Sequence, residues 1–117
     1  MTTTYTASCH CGYVRVEVTA ELSEVFDCNC SICARSAFLH WYVAPEQVTL
    51  LTQKVQLSTY MWRSATGGHH FCPTCGVAVI RTSTHFPPPV SVNARCLGGV
   101  DLGALTIRRF DGKTLIP

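Results

Sequence analysis

The sequence lacks long hydrophobic runs, dense charge and a recognisable targeting segment. No apolar stretch approaches the roughly 18–20 residues of a membrane span, because proline, glycine or arginine interrupts each candidate. The net charge is only +2 and no basic run exceeds Arg108-Arg109, so nothing indicates a nucleic-acid partner. The polar start, Met1–Thr6, has neither the charged nor the apolar region of a signal peptide. We therefore expect a cytoplasmic protein that does not enter a membrane.

Internal repeats, linkers and low-complexity segments are also missing. Of the 117 residues, 47% are hydrophobic and 14% are charged, a composition typical of a packed chain rather than a disordered one. The length lies within the range of about 100–150 residues that is commonest for one domain. We expect a single domain over residues 1–117, with the prolines at 87–89 forming a stiff loop inside it.

Helical periodicity is weak, whereas most of the chain has strand character. Val14–Thr19 alternates apolar and polar residues, as a half-buried strand does. The further strand candidates are Phe38–Val43, Val55–Tyr60, Val77–Ile80, Val90–Asn93 and Leu105–Arg108. Short helical turns are plausible at Ser31–Ser36 and Pro45–Gln47, and Asp111-Gly112 indicates a tight turn. The pattern predicts an all-β fold of about six to eight short antiparallel strands, with cysteine knuckles at strand ends.

Seven of the eight cysteines are grouped in three short segments, Cys9–Cys11, Cys28–Cys33 and Cys72–Cys75. The first and last segments contain two cysteines each, and the middle segment contains three. A structural zinc ion is held by four protein ligands, whereas catalytic zinc has three and an open position. The count therefore predicts two zinc sites. The two cysteine pairs supply four ligands to one site, and the three cysteines of the middle segment hold the other.

The two pairs share a feature that favours placing them in one site. In Cys72–Cys75 the gap of two residues lets both sulfurs reach one metal, and Gly76 permits the tight turn that follows. Cys9 and Cys11 are likewise followed by a glycine and then by a predicted strand. Disulfides are the first alternative, although reduced thiols are the rule in the cytosol. A thioredoxin-like redox pair is the second, but the βαβ context of that motif is lacking.

The middle segment, with Cys28, Cys30 and Cys33, can wrap one face of a metal ion and leave the opposite face open. Such a position suits a neutral thiol, because a free thiol has a pKa of about 8.5 and coordination removes its proton. The alternative is that a fourth protein ligand closes the site. The candidates are Cys96, His40, His69, His70 and His85. For Cys96, burial in the core or redox sensitivity is a further reading.

Three motifs, taken in order, resemble the glutathione-dependent formaldehyde-activating enzyme family, which also includes centromere protein V. They are Ser8–Gly12, Cys28–Cys33 and His70–Gly76, and the likeness extends from about Thr6 to Phe110. The resemblance implies a β-tent fold and two zinc sites. The chain departs from the family pattern at Asn29, where histidine is common, and at Ala34, where a basic residue is common.

The resemblance also implies a role for each cysteine and an activity. The implied structural zinc ligands are Cys9, Cys11, Cys72 and Cys75, and the implied catalytic zinc ligands are Cys28, Cys30 and Cys33. The family's activity is the condensation of glutathione with formaldehyde to S-hydroxymethylglutathione, formally a carbon–sulfur lyase reaction. The partners implied are therefore a small thiol and an aldehyde.

We accordingly expect a zinc-dependent carbon–sulfur lyase that binds a small thiol and adds it to an aldehyde. Arg35 is the nearest cation that could bind a substrate carboxylate, followed by Arg63 and Arg95, because arginine offers two parallel donors. Two other classes of function stay open. One is a zinc module without catalysis that binds a protein or nucleic acid, and the other is a thiol-redox protein that uses Cys96 or the middle cluster.

Overall fold

Ten strands and two short helices make up the computed structural model, which describes residues 2–52, 57–61, 67–83 and 89–115. The strands are β1 (Thr3–Ser8), β2 (Arg15–Ala20), β3 (Glu24–Cys28), β4 (Leu39–Val43), β5 (Val48–Leu50), β6 (Ser58–Tyr60), β7 (Gly67–Phe71), β8 (Ala78–Ser83), β9 (Val90–Asn93) and β10 (Thr106–Phe110). The helices are α1 (Ser31–Ser36) and α2 (Gly112–Leu115), and single 3-10 turns lie at Pro45–Gln47, Ala94–Cys96 and Leu102–Ala104.

The strands form two sheets. Three of them pair in the order β1-β2-β5, and the other seven pair in the order β10-β3-β4-β9-β8-β7-β6. Among the described strands, every pairing is antiparallel except that of β10 with β3, which is parallel. The predicted all-β class is confirmed, but the expected number of strands was too low. The sequence reading missed β1, β3, β5 and β7, because β1 is rich in threonine, β5 is only three residues long and β7 begins with two glycines.

Most local predictions agree with the observed elements. The helical turn at Ser31–Ser36 is α1, and the turn at Pro45–Gln47 is a 3-10 helix. The expected tight turn at Asp111-Gly112 was wrong, since α2 begins there and Asp111 Oδ1 accepts a hydrogen bond from the backbone N–H of Thr114. The first two residues of the candidate Val55–Tyr60, and the prolines at 87 and 88, lie outside the described residues.

The hydrophobic core draws on both sheets, which therefore pack against each other. In β2, buried residues alternate strictly with exposed ones, and Val16 and Val18 point inward. Trp41 of β4 and Val92 of β9 lie opposite each other and belong to the same core. Burying one such side chain stabilises the fold by about 1.5–3 kcal/mol. Cys9 and Cys72 pack into this core, whereas the middle cysteines form a separate small cluster.

The parallel pairing of β10 with β3 brings the C-terminal segment to the middle cysteines. Phe110 lies opposite Cys28, and the backbone N–H of Asn29 donates to the Phe110 carbonyl over 3.1 Å. The Asn29 side chain then donates to Asp111 over 3.0 Å and accepts from the backbone N–H of Lys113 over 2.8 Å. Asn29 therefore holds the start of α2 against this end of the sheet. No helix within the described residues is long and apolar enough to cross a membrane.

Candidate metal centres and active site

Four sulfur atoms converge where the two cysteine pairs meet. The Sγ atoms of Cys9, Cys11, Cys72 and Cys75 all lie within 4.8 Å of one another. The Sγ atoms of Cys9 and Cys11 are 3.7 Å apart, and those of Cys11 and Cys72 are 3.6 Å apart. A tetrahedral zinc ion with bonds of about 2.3 Å separates its sulfur ligands by about 3.8 Å. The spacing therefore fits zinc and is too long for a disulfide.

The two turns that carry the cysteine pairs share a closing hydrogen bond and a glycine. The N–H of Cys9 donates to the Val14 carbonyl, and the N–H of Cys72 donates to the Val77 carbonyl, each over 3.1 Å. In each turn a glycine then follows the second cysteine with a positive φ, +83° at Gly12 and +80° at Gly76. A residue with a side chain is strained at such angles. The glycines noted in the sequence thus shape both knuckles.

Backbone N–H groups surround the sulfurs of this four-cysteine site. They lower the pKa of Cys75 to about 6, the donors being Cys11 and then Val77. Burial raises the pKa of Cys72, but N–H groups of Cys75 and Thr74 outweigh burial and lower it overall. N–H groups that point at sulfur favour the thiolate, which is the form that binds metal. The donor set therefore suits a soft metal ion such as zinc.

The middle cysteines form a second site at the end of β3. Cys28 ends that strand, Cys30 precedes α1 and Cys33 lies within the helix. All three are buried, and their Sγ atoms lie within 4.8 Å of one another. Hydrogen bonds from Cys28 and Cys33 hold the pKa of Cys30 far below its usual value, whereas hydrogen bonds with Cys28 and Cys30 raise the pKa of Cys33. One of the three sulfurs is therefore stabilised as a thiolate, the form that binds metal.

Among the described residues, no fourth His, Cys, Asp or Glu places a ligand atom within 4.8 Å of all three sulfurs. His40 contacts one of the sulfurs, with Nε2 3.1 Å from Cys33 Sγ and Nδ1 2.9 Å from Ser91 Oγ. Burial, and then the charge of Arg81, lower the pKa of His40 to about 3, so its ring is neutral. His70 instead contacts Thr59 and Thr82, and His85 lies outside the described residues.

Cys96 does not belong to the group of converging sulfurs at the three-cysteine site. Its Sγ donates to the Ala78 carbonyl over 3.7 Å, and it packs against the main hydrophobic core. Burial, followed by the nearby Cys9, raises the pKa of Cys96 to about 11. The thiol therefore stays protonated near neutral pH, which is unlike the reactive thiol of a redox protein.

We expect Cys96 to resist alkylation in the zinc-loaded protein. With a pKa of about 11, about one molecule in a thousand carries the thiolate at pH 8. Mass spectrometry after brief iodoacetamide treatment should find less than one modified thiol per chain. The same treatment after denaturation with a chelator should modify all eight cysteines. Rapid modification of Cys96, absent from Cys96→Ser, would instead support the redox reading.

A row of side chains crosses the seven-stranded sheet beside the three-cysteine site. Tyr42, Ser91, Arg81 and His69 lie opposite one another on successive neighbouring strands, β4, β9, β8 and β7. Directly paired residues share one face of a sheet, and His40 shares it because it lies two positions before Tyr42. We call these four residues and His40 the polar row. Its face is opposite to the one that contributes Trp41 and Val92 to the core.

Contacts along the polar row join it to the cysteines. The Arg81 Nε–H donates to Ser91 Oγ over 3.0 Å, and the guanidinium lies 5.8 Å from the centre of the Tyr42 ring. The rings of His40 and Tyr42 stack with their centres 5.4 Å apart. The sequence reading missed Arg81, Ser91 and Tyr42 as site residues. The available signal was Arg81 itself, a charged residue directly after the apolar run Val77–Ile80.

His69 of the polar row packs against a buried aromatic ring. Its ring meets that of Phe38 edge-on at 5.4 Å, and Phe38 also packs against His40. Within the described ranges, Nδ1 of His69 is buried and makes no hydrogen bond. Burial, and then Arg81, lower the pKa of His69 to about 4. Since buried polar atoms are normally satisfied, this nitrogen is a candidate contact for a bound ligand.

Two of the three candidate substrate arginines can be placed. Arg35 is exposed on α1 and donates from Nη1 to the Ser31 carbonyl over 2.9 Å. Arg95 is also exposed, and its Nε–H donates to the Ala37 carbonyl at the end of α1 over 3.1 Å. Arg63 lies outside the described residues. Arg35 stays a candidate on the helix that carries Cys33, whereas Arg95 connects α1 to the turn that follows β9.

Comparison with known proteins identifies the family of this chain. The structure is similar to a crystal structure of a Rhodobacter sphaeroides protein, with a TM-score of 0.73 and 28% sequence identity. The similarity covers 87% of this chain and 98% of that one. Residues 4–106, which contain all seven clustered cysteines, match the model of one protein family. The chain therefore belongs to the glutathione-dependent formaldehyde-activating enzyme family.

Proposed function

We propose that both cysteine sites bind zinc and that only the three-cysteine site is catalytic. Cys9, Cys11, Cys72 and Cys75 would complete a tetrahedral shell, which is typical of structural zinc. Cys28, Cys30 and Cys33 would leave one position open. The observation that carries the proposal is that three buried sulfurs converge while no fourth His, Cys, Asp or Glu among the described residues joins all of them. When bound there, zinc supplies a positive charge that lowers the pKa of a thiol at the open position.

The reaction proposed is the addition of a small thiol, glutathione in the family's name, to formaldehyde. The sulfur lone pair attacks the carbonyl carbon, and a carbon–sulfur bond forms as the carbonyl π pair moves to oxygen. That oxygen takes up one proton, which replaces the proton lost by the thiol. The product is an S-hydroxymethyl adduct, and nothing is oxidised or reduced. The reverse direction cleaves the carbon–sulfur bond, as a carbon–sulfur lyase does.

The chain's own residues would orient the thiol and the aldehyde. The three sulfurs are buried, and His40 of the polar row contacts Cys33. His69 Nδ1 is a hydrogen-bonding atom for the aldehyde or adduct oxygen. Arg81 places positive charge near the thiolates, and Arg35 is a candidate for a carboxylate of the thiol substrate.

The direct test is zinc analysis of the purified protein with and without glutathione. We expect two zinc ions per chain, with the spectrum of one Co²⁺ ion altered by glutathione in the cobalt-substituted protein. Exchange NMR should show adduct formation faster than the spontaneous rate measured without protein. S-Methylglutathione, which has no thiol, is the matched control and should alter neither readout. One zinc ion per chain with no response to glutathione would contradict the proposal.

A further inference from the structure

The polar row contains a serine whose hydrogen bonds can be fully assigned. Ser91 is 0% exposed, so its hydroxyl cannot turn to solvent. A hydroxyl has one hydrogen to donate and two lone pairs to accept with. Arg81 Nε–H, which can only donate, uses one lone pair from 3.0 Å away. Among the described residues, the remaining partner of Ser91 Oγ is His40 Nδ1, at 2.9 Å.

This arrangement determines which nitrogen of His40 carries the proton. The Ser91 hydrogen needs an acceptor, and His40 Nδ1 is the one in reach, so Nδ1 must be unprotonated. A neutral ring with a bare Nδ1 has its hydrogen on Nε2. The opposite tautomer and the doubly protonated ring would each leave the buried Ser91 hydrogen without a partner. Nε2 lies 3.1 Å from Cys33 Sγ and therefore donates to that sulfur.

We propose that Arg81 and Ser91 fix His40 as a hydrogen-bond donor to Cys33, which makes His40 a positioning residue and not the fourth metal ligand. The inference rests on the zinc site of the proposed function. A histidine binds metal through an unprotonated nitrogen. Here Nε2 carries a proton and Nδ1 faces Ser91, so neither can fill the open position. That position is left to an exogenous thiol.

The proposed bond also affects the charge of the site. Three thiolates and Zn²⁺ together carry a charge of about −1, which weakens the metal as an acceptor of electron pairs. An N–H donor draws electron density from Cys33, and the Cys30 N–H does the same for Cys28 from 3.5 Å. Residues that bond to metal ligands typically change metal affinity or activity by about 10–100-fold.

The tautomer can be observed directly by NMR without any substitution in the measured protein. In long-range ¹H–¹⁵N spectra of the zinc-loaded protein, His40 should show a protonated Nε2 and an unprotonated Nδ1. The signal is assigned by its absence from the His40→Gln protein. A zinc-loaded protein in which Nε2 is unprotonated, or both nitrogens are protonated, would overturn the proposal.

Zinc competition with a chelator provides the second readout. Ser91→Ala, which removes the donor to Nδ1, should weaken zinc binding at the three-cysteine site about tenfold. His40→Phe should do the same, whereas His40→Gln, which keeps an N–H donor, should stay within about threefold of the natural protein. Thr82→Val is the matched control, because it removes a hydroxyl from His70, which lies on the opposite face of the sheet. Equal losses in His40→Gln and His40→Phe would indicate ligation by the imidazole and would contradict the proposal.

The two proposals can fail separately. A protein that shows the predicted His40 tautomer but does not accelerate adduct formation would support this inference and contradict the proposed activity. A protein that accelerates adduct formation but has an unprotonated His40 Nε2 would support the proposed activity and contradict the inference about His40.

Discussion

The Cys72→Ser protein is expected to lose its cooperative fold. Cys72 is fully buried, lies in the main core and connects β7 to β8, the strands that flank its knuckle. Structural zinc supplies about 10–16 kcal/mol of apparent binding free energy in small zinc-finger peptides. A whole domain has a net stability of only about 5–15 kcal/mol. Removing one of the four ligands therefore weakens an interaction whose full contribution is as large as that net stability.

Three measurements check this expectation. Near-ultraviolet circular dichroism should lose its fixed aromatic signals, thermal unfolding should lose its sharp transition, and zinc per chain should fall. Cys96→Ser is the matched control, because it makes the same chemical change at a cysteine outside both sites and its hydroxyl can still donate to the Ala78 carbonyl. A Cys72→Ser protein with full zinc content and a free energy of unfolding within about 1 kcal/mol of the natural protein would contradict a structural zinc site.

The Cys30→Ser protein is expected to keep its fold and lose its activity. Cys30 is 2% exposed and belongs to the small cluster that is separate from the main core. It is also the residue that precedes the first turn of α1. Serine is favoured at that position, because its oxygen accepts N–H groups of the first turn. The helix should therefore persist, while a hydroxyl replaces a thiolate ligand.

The expected loss is large because a metal ligand is removed. Changes in residues that only support a ligand cost about 10–100-fold, so removal of the ligand itself should reduce the rate at least ~100-fold, to the spontaneous rate. Zinc should fall from two ions per chain to one, and the thermal transition should stay sharp. Cys96→Ser should match the natural protein in zinc content and rate. Unchanged zinc with unchanged turnover in Cys30→Ser would contradict the catalytic role of this cluster.

The local chemistry of both sites was readable from the sequence. Cys28, Cys30 and Cys33 lie within six residues, so the chain itself holds them together whatever the rest of the fold does. The same holds for the Cys72–Cys75 knuckle, whose glycine is needed for a positive φ. Strand β2 could be predicted because one of its faces meets the core and the other meets solvent, so that apolar and polar residues alternate along it. Such features depend on neighbours in the chain.

Features that depend on how distant strands pair could not be predicted from the sequence. Arg81, Ser91 and His40 belong to three different strands, and no single segment shows that their side chains lie in contact. Only the pairing of β4 with β9 and of β9 with β8 places them in contact. The short strands β5 and β7 were missed for a similar reason, since their pairing with longer strands outweighs weak or glycine-rich local sequence. Asn29 likewise gains its partners from the distant C-terminal segment.

The sequence by itself determined which residues could bind metal and how many sulfurs each short segment offers. It did so because ligand spacing within a knuckle is a local property of the chain. Only the tertiary structure decided that the sulfurs of Cys11 and Cys72, 61 positions apart, meet within 3.6 Å. It also decided that His40 faces Cys33 with Ser91 and Arg81 behind it. Contacts of this kind arise from how distant strands pair and pack, which no single segment encodes.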